Sequence, residues 1–223
     1  MSDFAERFGF FDPTQEYSVT YGTLPHWEQS GATYFITYRT NDSIPRDAVE
    51  LWKRKCEDER SRLEATTQPW QNFEKLDWDS KRDFHRKMST IMETELDQLH
   101  GNCELRQPNL SLLVADNLLY QQSRYELGGF VVMPNHVHVL VCFHKDVKLL
   151  DQCYNWKHFT SRVINKQLGL RGHFWQSESF DHLVRNVDHF QKFRKYMQDN
   201  GPTAGLSENE YRVYLPDLGI GDL

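Results

Sequence analysis

The run from 125 to 143 constrains the fold more than any other part of the chain. Tyr125–Val132 is rich in β-branched and aromatic residues, and His136–Phe143 is a second apolar stretch of the same kind. Met133-Pro134-Asn135, which separates them, is typical of a tight turn. The pattern predicts two adjacent buried strands joined as a hairpin, so we expect a β-sheet at the centre of the molecule.

The rest of the chain supplies further elements for this sheet. Thr33–Tyr38 has the composition of a strand, and Gly201-Pro202 is expected to end the last helix. We expect an α+β fold, ferredoxin-like or RRM-like, with an antiparallel sheet and helices packed on one side. The other elements are predicted as helices over Arg46–Leu63, from Trp78 to Leu96, over Asn109–Tyr120, over Leu149–Leu168 and over Val187–Asn200 with Asn186 as its cap, and as a short strand over Asp181–Val184.

The length of 223 residues favours one domain over 1–223, because it is enough for one core and short for two. The segment at about 65–107 is interpreted as a helical insertion. The sequence starts without the features of a signal peptide, and no stretch approaches the roughly 20 apolar residues of a membrane span. We therefore expect a cytoplasmic protein with no membrane association.

The distribution of charge bears on the kind of partner. A net charge of -6 argues against a protein that coats duplex DNA through bulk electrostatics. Between residues 153 and 200, however, eight Lys and Arg residues stand against four acidic residues. This locally basic segment is either a small phosphate-binding surface or an ordinary solvated face.

The histidine pair in the second strand of the hairpin is a candidate metal site. Side chains alternate across a strand, so His136 and His138 point to one face while Val137 and Val139 point to the other. Two imidazoles suit a divalent transition metal, but they need a further oxygen or nitrogen ligand. The alternative is two histidines that are only hydrogen-bonded at a sheet surface.

The last predicted helix carries a second candidate pair. Tyr196 and Asn200 are four residues apart and share one helix face, so the helix can present a nucleophile and a metal ligand together. The alternative is a partly buried structural tyrosine and an asparagine that caps the C-terminus of the helix.

Taken together, the motifs of the chain resemble the REP-associated tyrosine transposases, single-tyrosine enzymes of the HUH class. The run Met133–Leu140 looks like the HUH strand of that family, in which U is a bulky apolar residue. The chain departs from the family pattern at Gly201, which separates Asn200 from Pro202, and its segment from about 65 to 107 matches no motif. Further matching motifs are Leu24-Pro25-His26-Trp27, Gly31-Ala32-Thr33-Tyr34-Phe35, Lys157-His158-Phe159-Thr160, Phe174-Trp175-Gln176, Phe180-Asp181-His182 with Arg185, and Tyr196 and Asn200 before Ala204-Gly205-Leu206.

The resemblance implies a role for each candidate residue. His136, His138 and Asn200 would bind a divalent metal, Mg²⁺ or Mn²⁺, and Tyr196 would be the nucleophile. The implied reaction is metal-dependent cleavage and strand transfer of single-stranded DNA near hairpins, through a 5'-phosphotyrosine intermediate. Because a tyrosine has an ordinary pKa of about 10, the site must also accept its proton, and the sequence does not identify the acceptor.

Residues of the basic segment are the candidates for DNA binding. Lys157, Arg162 and Arg185 are expected to contact phosphates, and an aromatic residue such as Trp156 or Trp175 to stack on a base. Each of these tryptophans could equally belong to the core.

Two other functions are compatible with the same residues. One is a nucleic-acid-binding module without catalysis, since the expected fold also hosts pure binders. The other is a metal-dependent nuclease that uses water, in which Tyr196 would be structural only. A covalent adduct between protein and DNA would distinguish the three.

Overall fold

The structure is a computed structural model that describes residues 2–21, 25–67, 83, 87, 90–91 and 94–220. The helices are α1 (Ser2–Arg7), α2 (Arg46–Thr67), α3 (Pro108–Tyr120), α4 (Leu149–Leu168) and α5 (Val187–Thr203). The strands are β1 (Ser18–Tyr21), β2 (Pro25–Glu28), β3 (Thr33–Arg39), β4 (Tyr125–Val132), β5 (His136–Phe143), β6 (Phe180–Leu183) and β7 (Arg212–Tyr214).

The chain divides into two compact units, one formed by 1–41 with 103–223 and the other by 42–102. In the second unit, α2 buries Trp52, and Glu59 accepts hydrogen bonds from Arg62 and Lys87, each at 2.7 Å. The helix predicted to start at Trp78 begins outside the described residues, and an insertion at about 65–107 stays a prediction. Of the helices described, none has the length and apolar character needed to cross a membrane.

A five-stranded sheet with the order β6-β3-β5-β4-β7 forms the centre of the first unit. All its neighbouring strands are antiparallel. β4 and β5 form the predicted hairpin, and the Met133 amide closes the turn by donating to the His136 carbonyl at 2.8 Å. Every residue of β5 is buried, as expected for a central strand covered on both faces. The predicted antiparallel α+β fold is confirmed.

One face of this sheet is covered by α3 and α4. The ring of Tyr38 on β3 stacks on Trp156 of α4, with centroids 6.2 Å apart. The hydroxyl of Tyr125 on β4 donates to the carbonyl of Leu118 on α3 at 2.7 Å. Because Val137 and Val139 of β5 point to this face, it forms an apolar half of the core.

The opposite face carries His136 and His138 and is called the histidine face below. α5 packs on it, with Phe193 stacked on Phe35 of β3 at a centroid distance of 4.0 Å. Gly128 on β4 allows this approach, because a Cβ there would lie 2.7 Å from the ring of Phe190. The prediction that the helices pack on one side of the sheet holds for α3 and α4. It is corrected for α5, which packs on the other side because its aromatic residues need an apolar surface of their own.

Helix α5 also runs further than predicted. Gly201 and Pro202 do not end it, and it continues to Thr203. Proline disfavours a helical conformation in the residue before it through clashes with that residue's backbone N–H and Cβ, and Gly201 has no Cβ. The amide of Ala204 donates to the carbonyl of Asn200 at 3.0 Å, so the last turn keeps its hydrogen bond.

Candidate active site

His136 and His138 lie side by side in the middle of the histidine face. Their ring centroids are 4.6 Å apart, and both side chains are fully buried. Phe35, on the neighbouring strand β3, stacks on His138 with centroids 5.2 Å apart. The pair is therefore enclosed by the sheet and by the aromatic residues of α5.

Each histidine has a hydrogen-bonding partner at Nδ1. The Nδ1 atom of His136 lies 2.7 Å from Oδ1 of Asn135, and Nδ1 of His138 lies 2.7 Å from Oγ1 of Thr37. The amide oxygen of Asn135 can only accept, so His136 carries its proton on Nδ1 and a lone pair on Nε2. The Thr37 hydroxyl can accept from His138 in the same way. Metal-binding histidines are commonly oriented by such a partner on their second nitrogen.

Burial keeps both rings neutral. It lowers the pKa of His136 to about 3, and it lowers the pKa of His138 well below the ordinary value, with the neighbouring His136 adding to the effect. Neutral imidazole is the form that binds metal ions. The pair is thus ready to donate two nitrogen lone pairs at physiological pH.

Tyr196 approaches the pair from α5. Its hydroxyl lies 3.5 Å from Nε2 of His138, and the two ring centroids are 5.2 Å apart. Asn186 begins the helix as predicted, since its side-chain oxygen accepts from the amide of His189 at 2.8 Å. A helix fixed at its start and stacked on Phe35 through Phe193 holds the tyrosine at the histidine face.

Asn200 follows Tyr196 by one helical turn and is buried, with 5% of its surface exposed. Its Oδ1 atom and Nε2 of His136 are buried without a hydrogen-bonding partner among the described residues. An unpaired buried acceptor costs about 1–3 kcal/mol, and a bound cation would remove that cost. The donor set of two imidazoles and an amide oxygen therefore fits a divalent metal.

No three His, Cys, Asp or Glu side chains of the described residues come together in a way that could hold a metal ion. Oδ1 of Asn200 is a buried neutral oxygen of the kind that can complete a histidine pair.

The basic residues predicted to bind DNA differ in how accessible they are. Arg162 and Arg185 are exposed. The ammonium of Lys157 is already used, because it donates to the carbonyls of Gln176 and Ser177 and to the Ser179 hydroxyl.

Both tryptophans considered for base stacking lie in the core. Trp175 has 4% of its surface exposed, donates from its indole N–H to Thr160 at 2.8 Å, and packs on Tyr38. Trp156 is fully buried, with its N–H donating to the Tyr125 hydroxyl at 3.1 Å. Neither presents a free ring face, so the suggested stacking role of Trp175 is corrected to a structural one.

The sequence reasoning missed the partners that orient the histidines. Asn135 stands directly before the pair, so its turn position is a local signal that could have indicated it. Thr37 is 101 positions from His138, and its role depends on the register between β3 and β5, in which these two residues are directly opposite. No local pattern specifies that register.

Comparison with known proteins connects this geometry to a family. No curated protein matches the chain. Among solved structures, a REP-associated tyrosine transposase bound to a REP hairpin aligns over 87% of this chain and 93% of its own, with 14% identity and a TM-score of 0.38.

A family model provides the stronger match. Residues 116–200 match the family described as "Transposase IS200 like". The matched range holds the hairpin, both histidines, Tyr196 and Asn200, and it agrees with the resemblance found in the sequence motifs. The segment that carries the candidate active site is therefore similar to the IS200-like transposases.

Proposed function

We propose that this chain cleaves and rejoins single-stranded DNA through a covalent link to Tyr196, in a reaction that depends on a divalent metal. The observation that carries the proposal is the 3.5 Å distance between the Tyr196 hydroxyl and Nε2 of His138. The candidate nucleophile and one of the candidate metal ligands are therefore direct neighbours. The match of residues 116–200 to a transposase family supports the same reading.

The reaction is an in-line displacement at a phosphodiester. The phenolic oxygen of Tyr196 forms a bond to phosphorus, and the bond from phosphorus to the 3' oxygen breaks. That oxygen takes a proton and leaves as a free 3'-hydroxyl, while the 5' side stays attached as a phosphotyrosine. Attack by another 3'-hydroxyl reverses these steps and joins two strands without ATP, because the phosphoester bond is conserved throughout.

His136, His138 and Asn200 would hold Mg²⁺ or Mn²⁺. The metal would polarise the scissile phosphate and stabilise charge that develops on its oxygens. Support comes from the acceptor atoms of His136 and Asn200, which are buried without a partner among the described residues, and from the neutral state of both imidazoles.

The proton of Tyr196 has a defined neighbour. Nε2 of His138 is the histidine atom facing the hydroxyl, at a distance longer than a strong O–H···N hydrogen bond. The same lone pair cannot serve a proton and a metal at once. We infer that the Tyr196 hydroxyl and the metal compete for His138, so that with the metal bound the proton of Tyr196 passes to solvent water and not to this histidine.

The substrate would be single-stranded DNA beside a hairpin, as the motif resemblance implies. Phosphates would be bound by the exposed Arg162 and Arg185. The cytoplasm, where chromosomal DNA is accessible, is the proposed location. A test of the whole proposal is covalent capture of labelled DNA by the wild-type chain, compared with the Tyr196→Phe variant, which lacks the attacking oxygen.

A further inference from the structure

A groove lies beside α4, the helix that packs on the sheet face opposite the histidine face. It runs between α4 and the loop over residues 172–179, and its volume is about 680 Å³. Tyr154, His158 and Arg162 of α4 line one wall, and Glu178 belongs to the other. Of these residues, only Arg162 has a role in the proposed function, as a phosphate contact.

The walls of the groove are tied together by hydrogen bonds. Lys157 on α4 donates to the carbonyl of Gln176 at 3.3 Å and to the hydroxyl of Ser179 at 3.0 Å. The side-chain amide of Asn165 donates to the carbonyl of Gly172 at 2.9 Å. Helix and loop are thus fixed to each other at both ends, so the groove is present before any ligand binds.

The wall on α4 exposes a pair of stacked rings. Tyr154 has 61% of its surface exposed, and its ring lies parallel to His158, with centroids 5.3 Å apart and planes inclined by 15°. Rings held in a fixed orientation in contact with water are suitable platforms for further stacking. The outer ring face of such a pair can accept a nucleobase, whatever its identity.

A cation continues the same row. Tyr154, His158 and Arg162 are spaced by four residues, so they share one face of α4 at intervals of about 6 Å along the helix. Arg162 is exposed at the end of the row, where its guanidinium can reach a phosphate. Two ring systems followed by a cation match the alternation of bases and phosphates in an unstacked strand.

We propose that this groove binds unpaired nucleotides of the DNA substrate, by stacking on Tyr154 and His158 and by a phosphate contact with Arg162. The assignment rests on the proposed function and extends it to a second contact surface. Since α4 and the histidine pair lie on opposite faces of the sheet, the groove and the candidate active site would bind different nucleotides of one strand. Base stacking on an aromatic side chain contributes about 1–3 kcal/mol, which is enough to matter for affinity.

The test measures binding without cleavage. Full-length protein carrying Tyr196→Phe is titrated into a fluorescein-labelled oligothymidylate of about 15 nucleotides, a length within the usual site size. Adding Tyr154→Ala and His158→Ala together should weaken binding by about tenfold or more, and Arg162→Ala should weaken it and reduce its dependence on salt. Tyr154→Phe should bind as well as the parent, because the ring face is kept.

Tyr120→Ala is the matched control, since Tyr120 is 89% exposed on α3 and lies outside the groove. Equal affinity for the parent and the Tyr154→Ala/His158→Ala protein would overturn the groove assignment and leave strand transfer standing. Tighter binding of a duplex of equal length would overturn the choice of unpaired nucleotides. Groove-dependent binding by a wild-type protein that never forms a DNA adduct would support the groove and refute strand transfer.

Discussion

The hydroxyl of Tyr196 and Nε2 of His138 lie 3.5 Å apart, although 58 positions separate the two residues in the sequence. Packing of α5 on the histidine face brings them together. The proposed nucleophile and one of the proposed metal ligands therefore lie next to each other, one on a helix and the other on the sheet.

Removing the hydroxyl should abolish cleavage. Tyr196→Phe loses the attacking oxygen but keeps the ring that packs edge-on against Phe35, with centroids 6.0 Å apart. We expect the rate of single-stranded DNA cleavage to fall on the order of a thousandfold or more, with nearly unchanged melting temperature and DNA affinity. Cleavage at the wild-type rate would show that water is the nucleophile.

The three proposed metal ligands should contribute unequally to cleavage. His136→Ala or His138→Ala should eliminate cleavage, as should chelation of the wild type, whereas Asn200→Ala should reduce it by about ten- to a hundredfold, because a neutral amide oxygen is the weakest ligand. His144→Ala is the control, since that histidine is exposed and lies just after β5. Undiminished cleavage in the presence of a chelator would refute the metal role.

The buried histidines should make the stability of the metal-free protein depend on pH. The pKa of His136 is about 3 in the folded state and 6.5 for the ordinary side chain, so the unfolded chain binds the extra proton below pH 6.5. Stability is therefore full above pH 6.5 and falls as the pH drops from 6.5 toward 3. At pH 5 the loss due to His136 amounts to about 2 kcal/mol.

Urea unfolding at pH 7 and pH 5 would measure this loss, with His136→Gln as the reference because glutamine does not titrate. The change in the free energy of unfolding between pH 7 and pH 5 should be about 2 kcal/mol smaller in the variant than in the wild type. The same difference in both proteins would mean that His136 is solvated in the folded state.

Gly201 should be required for the end of α5. A Cβ at this position would lie 2.4 Å from the ring of Tyr211, and it would also meet the following Pro202. Gly201→Ala should lower the free energy of unfolding by about 1–3 kcal/mol, measured by urea denaturation. The double variant with Tyr211→Ala should lose less free energy of unfolding than the sum of the two single losses, because the clash with the Tyr211 ring is gone. Strict additivity would exclude this contact as the cause.

The sequence predicted those parts of the fold that depend on local pattern. The hairpin of β4 and β5 follows from apolar strands around Met133-Pro134-Asn135, and the cap at Asn186 follows from a residue type that accepts the first helical amides. Both depend on residues close together in the chain. The same holds for the alternation that brings His136 and His138 to one face.

Other features were determined by contacts between distant residues and were missed. β2 and β7 become strands by pairing with β1 and β4, and their own short sequences give little signal. Helix α5 can pack on the histidine face because Gly128 leaves space for it. Trp175 is buried because it donates to Thr160 and packs on Tyr38. The candidate site residues were named from motifs, but their distances required the tertiary structure.

One gel tests the central claim most directly. Wild-type protein is incubated with a single-stranded hairpin DNA labelled on the 3' side of the cut, in Mg²⁺ or Mn²⁺, and a range of hairpin sequences is tried, because the motifs leave the recognition sequence open. Attack by Tyr196 predicts a denaturation-resistant adduct that carries the label and is absent in Tyr196→Phe. Cleaved DNA without an adduct would contradict the account in favour of hydrolysis, and DNA that is bound but never cut would contradict it in favour of a binding module.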